Sequence, residues 1–240
     1  MTTATVTLTR RDHDLIRAAW SLGWVTARVL AAVISPGTSA KTLAGRLTEL
    51  ANAGYLRRRR IVAGPHGHLW LYGAGRAAPR IDSAYADAWR PSDSQLAHTL
   101  AITDILAALV RPGRLGSIEV TRWTGEAELR TWHVIGTPIP DLLLHYHQGS
   151  TSRTLAVEVD RGTQARAALR RKLVRYLHDT RQDLLVVTTS DDRARHIARL
   201  ARDLGAPALT TDLATLRGDA VLHVYDAVKG SRRPVDDPAN

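Results

Sequence analysis

The chain is 240 residues long, with 33 Lys and Arg against 23 Asp and Glu and a net charge of +10. It has no cysteine, which excludes disulfide scaffolds, thiolate zinc sites and cysteine nucleophiles. Its longest apolar runs, such as Val29–Ile34 and Ile105–Val110, fall far short of the roughly 20 residues of a membrane span. Residues 1–9 lack a basic stretch followed by an apolar one, so no secretory leader is expected, and the expected location is the cytoplasm with no membrane partner.

The charge is uneven. Residues 1–90 hold 13 basic and 5 acidic residues, a net +8; residues 91–240 hold the other 20 basic and 18 acidic, a net +2. A basic module joined to a nearly neutral one suits a nucleic-acid partner. Arginine outnumbers lysine 30 to 3 and phenylalanine is absent. GC-rich coding produces such a bias, but it does not produce the asymmetry.

Residues 10–34 predict two helices. Leu15, Ile16, Ala19 and Trp20 recur at helical spacing, Gly23 breaks the pattern, and Thr26 caps Ala27–Ile34. Ser39 caps a third helix running to about Ala53, with Leu43, Leu47 and Leu50 on one face and Gly54 at its left-handed end. Strands are expected at Tyr55–Val62 and His68–Tyr72, joined by the turn Gly64-Pro65-His66-Gly67. Helix, helix, turn, helix, hairpin is the order of a winged helix-turn-helix. The third helix would offer Lys41, Thr42 and Arg46 to the major groove of double-stranded DNA, and the wing would bring Arg57, Arg58, Arg59, Arg60 and His66 near phosphates. Strand alternation sends two of the four arginines to each face. The alternative is a protein-binding winged helix with a solvated charge run.

The expected organisation is a winged helix over 1–75, a linker and central helix over 76–111, an α/β domain over 112–228 and a disordered tail over 229–240. The central helix, Gln95–Val110, is apolar on most sides. Strands are then expected at Ser117–Trp123, Leu129–Val134, Asp141–His147, Thr154–Asp160, Leu184–Thr188 and Ala220–Tyr225, with helices at Thr163–Asp179 and Asp192–Leu204. That is a mixed sheet of an α/β (α+β) protein.

The acidic residues of this part are grouped. Pro140-Asp141 opens one strand and Glu158-Val159-Asp160 closes the next. Glu158 and Asp160 share a strand face. With Asp141 beside them, such carboxylates can hold a hard divalent cation, and Glu126 or Glu128 can add a further one. The pattern resembles the PD-(D/E)XK nucleases, with Asp160 standing where their lysine belongs. Lys172 lies 14 residues after Glu158, and Tyr176 follows four later on the same helix face. In some nucleases of that superfamily the lysine has moved to this helix.

The chain further resembles the replication-relaxation family of actinobacterial and related mobile elements. The matching residues are His98-Thr-Leu-Ala101 with Asp104, Trp123 with Glu126 or Glu128, Pro140-Asp-Leu-Leu-Leu144, Leu155-Ala-Val-Glu-Val-Asp-Arg-Gly-Thr163 and Arg171-Lys-Leu-Val-Arg-Tyr176. The resemblance implies a DNA-binding protein of a plasmid or integrative element, acting in replication, DNA relaxation or transfer, or their regulation. A homodimer and replication or transfer proteins are its implied partners.

Two alternatives stand beside it. One is a metal-dependent endonuclease or nickase using Mg²⁺ or Mn²⁺. There Asp141 and Glu158 ligate the metal with Glu128 or Asp160 as a further ligand, and Lys172 offsets charge on the phosphate. The other is a dimeric transcriptional repressor. An inactive nuclease fold would instead use Arg161, Arg166 and Arg170 to neutralise the acids. His145 and His147 share a strand face and read as a wet surface, and Gly73-Ala-Gly75 is too short for a nucleotide loop.

Overall fold

Among the described residues ten strands and eight α-helices follow one another in two compact units, Met1–Ala107 and Ala108–Asn240. They come from a computed structural model that describes residues 6–62, 67–80, 92–131, 137–162, 164–177, 182–218 and 221–237.

The first unit contains α1 (Arg10–Ser21), β1 (Val25–Thr26), α2 (Ala27–Ile34), α3 (Ala40–Asn52), β2 (Leu56–Val62) and β3 (His68–Ala74). Its sheet has the order β1-β3-β2 and is antiparallel throughout. This is the expected element order with a two-residue strand added. Each helix starts at a capping side chain. Thr9 and Asp12 form a capping box on α1, Thr26 accepts from Val29 N at 3.2 Å, and Ser39 accepts from Thr42 N at 3.1 Å. Leu15, Ile16, Leu30, Leu43, Leu47, Leu50 and Leu71 form the core. Gly75 marks a backbone crossing, where a Cβ would lie 2.1 Å from the carbonyl oxygen of Gly54. That close approach, and not phosphate binding, explains this glycine. The helix α4 (Asp93–Leu109) runs across the boundary between the units.

The second unit is a seven-stranded sheet of order β10-β9-β8-β7-β6-β5-β4. Its strands are β4 (Ile118–Gly125), β5 (Leu142–Gln148), β6 (Thr151–Asp160), β7 (Asp183–Thr188), β8 (Ala208–Asp212), β9 (His223–Asp226) and β10 (Ser231–Pro234). The β4-β5-β6 meander and the β8-β9-β10 end are antiparallel, while β6-β7-β8 are parallel. The parallel pairs are connected through α6 (Arg166–Leu177) and α7 (Asp191–Asp203), as parallel pairing requires. Leu169, Leu173 and Tyr176 of α6 and Ile197, Leu200 and Ala201 of α7 pack with Ala156, Leu184, Val186 and Ala208. The short helices are α5 (Glu126–Thr131) and α8 (Leu213–Arg217).

Three expectations are corrected. Of the strand placed at 129–134, residues 129–131 are instead the end of α5, and 132–134 lie outside the described residues. Glu126 and Glu128 fall in that helix's first turn, where the backbone dipole favours acids. The strand β8 was not foreseen. The tail is not disordered over its described part, since β10 pairs with β9 and Arg233 Nε meets Asp226 Oδ2 at 2.8 Å. Pro234 sits on this edge strand, where a missing N–H is tolerated.

Candidate active site

The antiparallel register of β5 and β6 builds the site. Leu142 pairs with Val157 and Leu143 with Ala156. Extending that register by one residue sets Asp141 opposite Glu158. Asp141 is held there by its own strand neighbour, since Val159 N donates to its Oδ2 at 2.7 Å. Glu158 shares a strand face with Ala156, which packs under α6. The helix therefore lies over the carboxylate. From one turn of α6, Lys172 Nζ forms an ion pair with Glu158 Oε2. From the next turn, Tyr176 Oη donates to Glu158 Oε1 at 2.6 Å. Lys172 and Tyr176 are four residues apart, the spacing that stacks side chains on one helix face.

Glu158 is 3% exposed. Burial, and then the negative charge of Asp141, push its carboxyl up to about 8, against the opposing pull of Lys172 and Tyr176. Burial works to lower Lys172, but the charges of Glu158 and Asp141 outweigh it and hold the ammonium above its ordinary value. The cavity lined by Glu158, Lys172, Tyr176 and Asp160 measures about 10 Å³, room for a single water.

Asp160 lies on the same strand face but is bound elsewhere. Its Oδ1 accepts from Gly162 N at 2.9 Å and its Oδ2 from Arg193 Nε at 2.7 Å. Arg193 comes from the first turn of α7 and also donates to Gln164 O at 3.3 Å. It thus ties β6, Gln164 and α7 together. Nothing in the sequence pattern marked Arg193.

Glu128 does not join the pair. It is buried on α5, with Arg122 Nη2 at 3.8 Å. Among the described residues no group of three His, Cys, Asp or Glu is placed to hold a metal ion. The three-carboxylate set of Asp141, Glu158 and Glu128 is therefore corrected to the pair Asp141 and Glu158. The physical reason is that residues 126–131 coil into a helix. The remaining pair still fits a hard divalent cation. It presents adjacent carboxylate oxygens whose mutual repulsion a cation would relieve, and Mg²⁺ commonly uses one or two protein carboxylates with waters.

In the first unit, Lys41 and Thr42 are exposed on α3. Arg46 is committed inside the unit. Its Nε and Nη2 bond Asp12 at 2.9 and 2.7 Å, its Nη1 bonds Glu49 at 2.7 Å, and Nη2 also reaches Thr7 O at 2.9 Å. Asp12 is fully buried, and the Arg46 guanidinium holds its carboxyl well below the usual range. The arginine run splits as strand alternation requires. Arg58 and Arg60 are exposed, while Arg57 and Arg59 are half-buried. His66 lies outside the described residues.

A second cavity of the α/β unit, about 280 Å³, is lined by Leu144, Tyr146, Leu155, Asp226 and Arg233 among others. Two of its acids are paired: Tyr146 Oη donates to Asp183 at 2.7 Å, and Arg233 holds Asp226. Of the residues quoted from the sequence, the apolar Leu144 and Leu155 line it, and none of the candidate site residues does.

The arrangement defines a protein with an α/β unit carrying a buried carboxylate pair capped by a lysine and a tyrosine. A family profile described as replication-relaxation matches residues 21–184, a span that includes Asp141, Glu158, Lys172 and Tyr176. The chain belongs to the replication-relaxation family. No curated protein matches it. Among solved structures, the chain is similar to restriction endonuclease FokI at a TM-score of 0.32 and 9% identity, over 88% of this chain and 44% of that one. FokI bound to DNA gives 0.29 and 7%, over 88% and 45%. The chain thus spans less than half the length of either. No helix among the described residues is long and apolar enough to cross a membrane.

Proposed function

We propose that this is a DNA-binding protein of a plasmid or integrative element whose α/β unit hydrolyses a phosphodiester bond during replication or relaxation. The observation that supports it best is the meeting of Asp141, Glu158 and Lys172 from three separate elements. A buried acid raised by a neighbouring acid, with a lysine against it, is costly to fold around and is more characteristic of chemistry than of scaffolding.

Asp141 and Glu158 would hold Mg²⁺ or Mn²⁺, which when bound supplies an activated water and polarises the phosphate. The chain's own groups do the rest. Val159 N orients Asp141, Tyr176 fixes one oxygen of Glu158, and Lys172 supplies a positive charge against the phosphate oxygens. In the first unit, the helix–hairpin arrangement acts as a winged helix. Lys41 and Thr42 face the duplex, and the exposed wing arginines supply phosphate contacts.

A second reading, a DNA-binding scaffold that does not cut, is favoured by one observation. The cavity between Glu158, Lys172 and Tyr176, about 10 Å³, is smaller than a phosphate group. Supercoiled plasmid incubated with Mg²⁺ or Mn²⁺ separates the two. Nicking by the wild type, lost in Asp141→Ala, Glu158→Ala and Lys172→Ala alike, supports hydrolysis. Intact plasmid with the wild type on several DNA substrates supports the scaffold.

A further inference from the structure

We propose that the outer face of the β2–β3 hairpin binds unpaired DNA, with Trp70 stacking on a base and Arg58 and Arg60 holding the flanking phosphates. This rests on the DNA-binding reading above and adds the class of strand that the hairpin takes.

The two hairpin faces are used differently. On the inner face Arg57 lies over the Trp24 ring, 4.3 Å from its centroid, and Arg59 pairs with Asp93. Gly73 makes room for that stack, because a Cβ there would lie 3.0 Å from Arg57 Nε and 3.3 Å from Trp24 Cε3. Both inner arginines are therefore used within the unit. On the outer face Arg60 stands directly across from Trp70, and Arg58 is one pair along, across from Tyr72. The Arg58 guanidinium lies 4.9 Å from the Trp70 ring centroid. No ion pair or hydrogen bond engages Arg58 or Arg60 among the described residues.

Trp70 is 41% exposed, unusual for the largest apolar side chain. Folding does not bury it, and on that face it stands between Tyr72 and His68 with the cations Arg58 and Arg60 and the exposed Val62 on the strand across. An apolar protein partner would have to desolvate both guanidinium groups without an acid to meet them. A polyanion meets them with its own charge. A flat exposed ring with one arginine against it and another on the strand across matches how non-helical nucleic acid is bound, with bases on aromatic faces and phosphates on basic groups. A closed duplex offers the phosphates but keeps its base faces stacked inside, so it gives Trp70 no partner.

The test is fluorescence anisotropy with a labelled oligonucleotide, single-stranded and as the matching duplex, in EDTA so that no cleavage contributes. Trp70→Ala should weaken single-strand binding by about tenfold or more and leave duplex binding within about twofold. Trp70→Leu, which keeps apolar bulk without an aromatic face, should show the same selective loss. Trp70→Phe should retain most of the single-strand affinity. Arg60→Ala should weaken both forms and lower the salt slope by about one. Equal effects of Trp70→Leu on both forms, or no effect on the single strand, overturn the proposal. A wild type that binds neither form overturns the DNA-binding reading itself.

Discussion

Replacing Glu158 by Gln should make the metal-free protein more stable in mildly alkaline solution. In the folded state burial and Asp141 raise the Glu158 carboxyl from the ordinary 4.5 to about 8. Between those values the folded protein holds a proton that the unfolded chain has released. Stability therefore falls as pH rises through that window. A shift of this size corresponds to a loss on the order of 4 kcal/mol by pH 8. Lys172 adds no slope there, because its raised value leaves it charged in both states until the pH passes its unfolded value. The glutamine has the same shape, still accepts the Tyr176 hydroxyl and does not titrate. In urea unfolding with EDTA, Glu158→Gln should match the wild type near pH 5 and exceed it by several kcal/mol at pH 8. A variant that is no more stable than the wild type at pH 8 would refute this account of the carboxylate.

Other consequences follow from the same contacts. Arg46→Ala leaves the fully buried Asp12 without its cation and should cost about 3 kcal/mol in urea unfolding. Duplex affinity should stay nearly unchanged in that variant, because the guanidinium is spent on Asp12 and Glu49; a tenfold loss of binding with stability intact would show the opposite. Gly75→Ala drives a Cβ into the Gly54 carbonyl and should lower stability by about 1–3 kcal/mol, seen as a reduced thermal midpoint. An unchanged midpoint would mean that the crossing can relax.

Much of the fold was legible because it is written in short-range terms. Apolar spacing and the caps at Thr26 and Ser39 set the helices of the first unit, and the sequence Gly64-Pro65-His66-Gly67, of which 64–66 lie outside the described residues, separated the two hairpin strands. The site was legible for a related reason. Asp141 and Glu158 flank two strands that pair antiparallel, and Lys172 and Tyr176 stand four apart on the helix that follows. What failed depended on tertiary neighbours. The alternation around Leu129 looked like a strand, but Gly125 followed by two glutamates starts a helix there. The short run Ala208–Asp212 becomes a strand because β7 and β9 pair with it, and residues 231–234 because β9 does. Arg46 looked like a groove contact because nothing local reveals that Asp12, 34 residues earlier, is buried against it. Asp160 likewise found its cation, Arg193, 33 residues later.

The central claim is that Glu158 serves DNA hydrolysis at a cost in stability. The most direct measurement is nicking of supercoiled plasmid with Mn²⁺ at pH 8, wild type beside Glu158→Gln, with the folded fraction of each determined in the same buffer. The wild type should nick the plasmid, and a fully folded Glu158→Gln should not. Equal nicking by the two proteins, or intact plasmid with both, would contradict the claim.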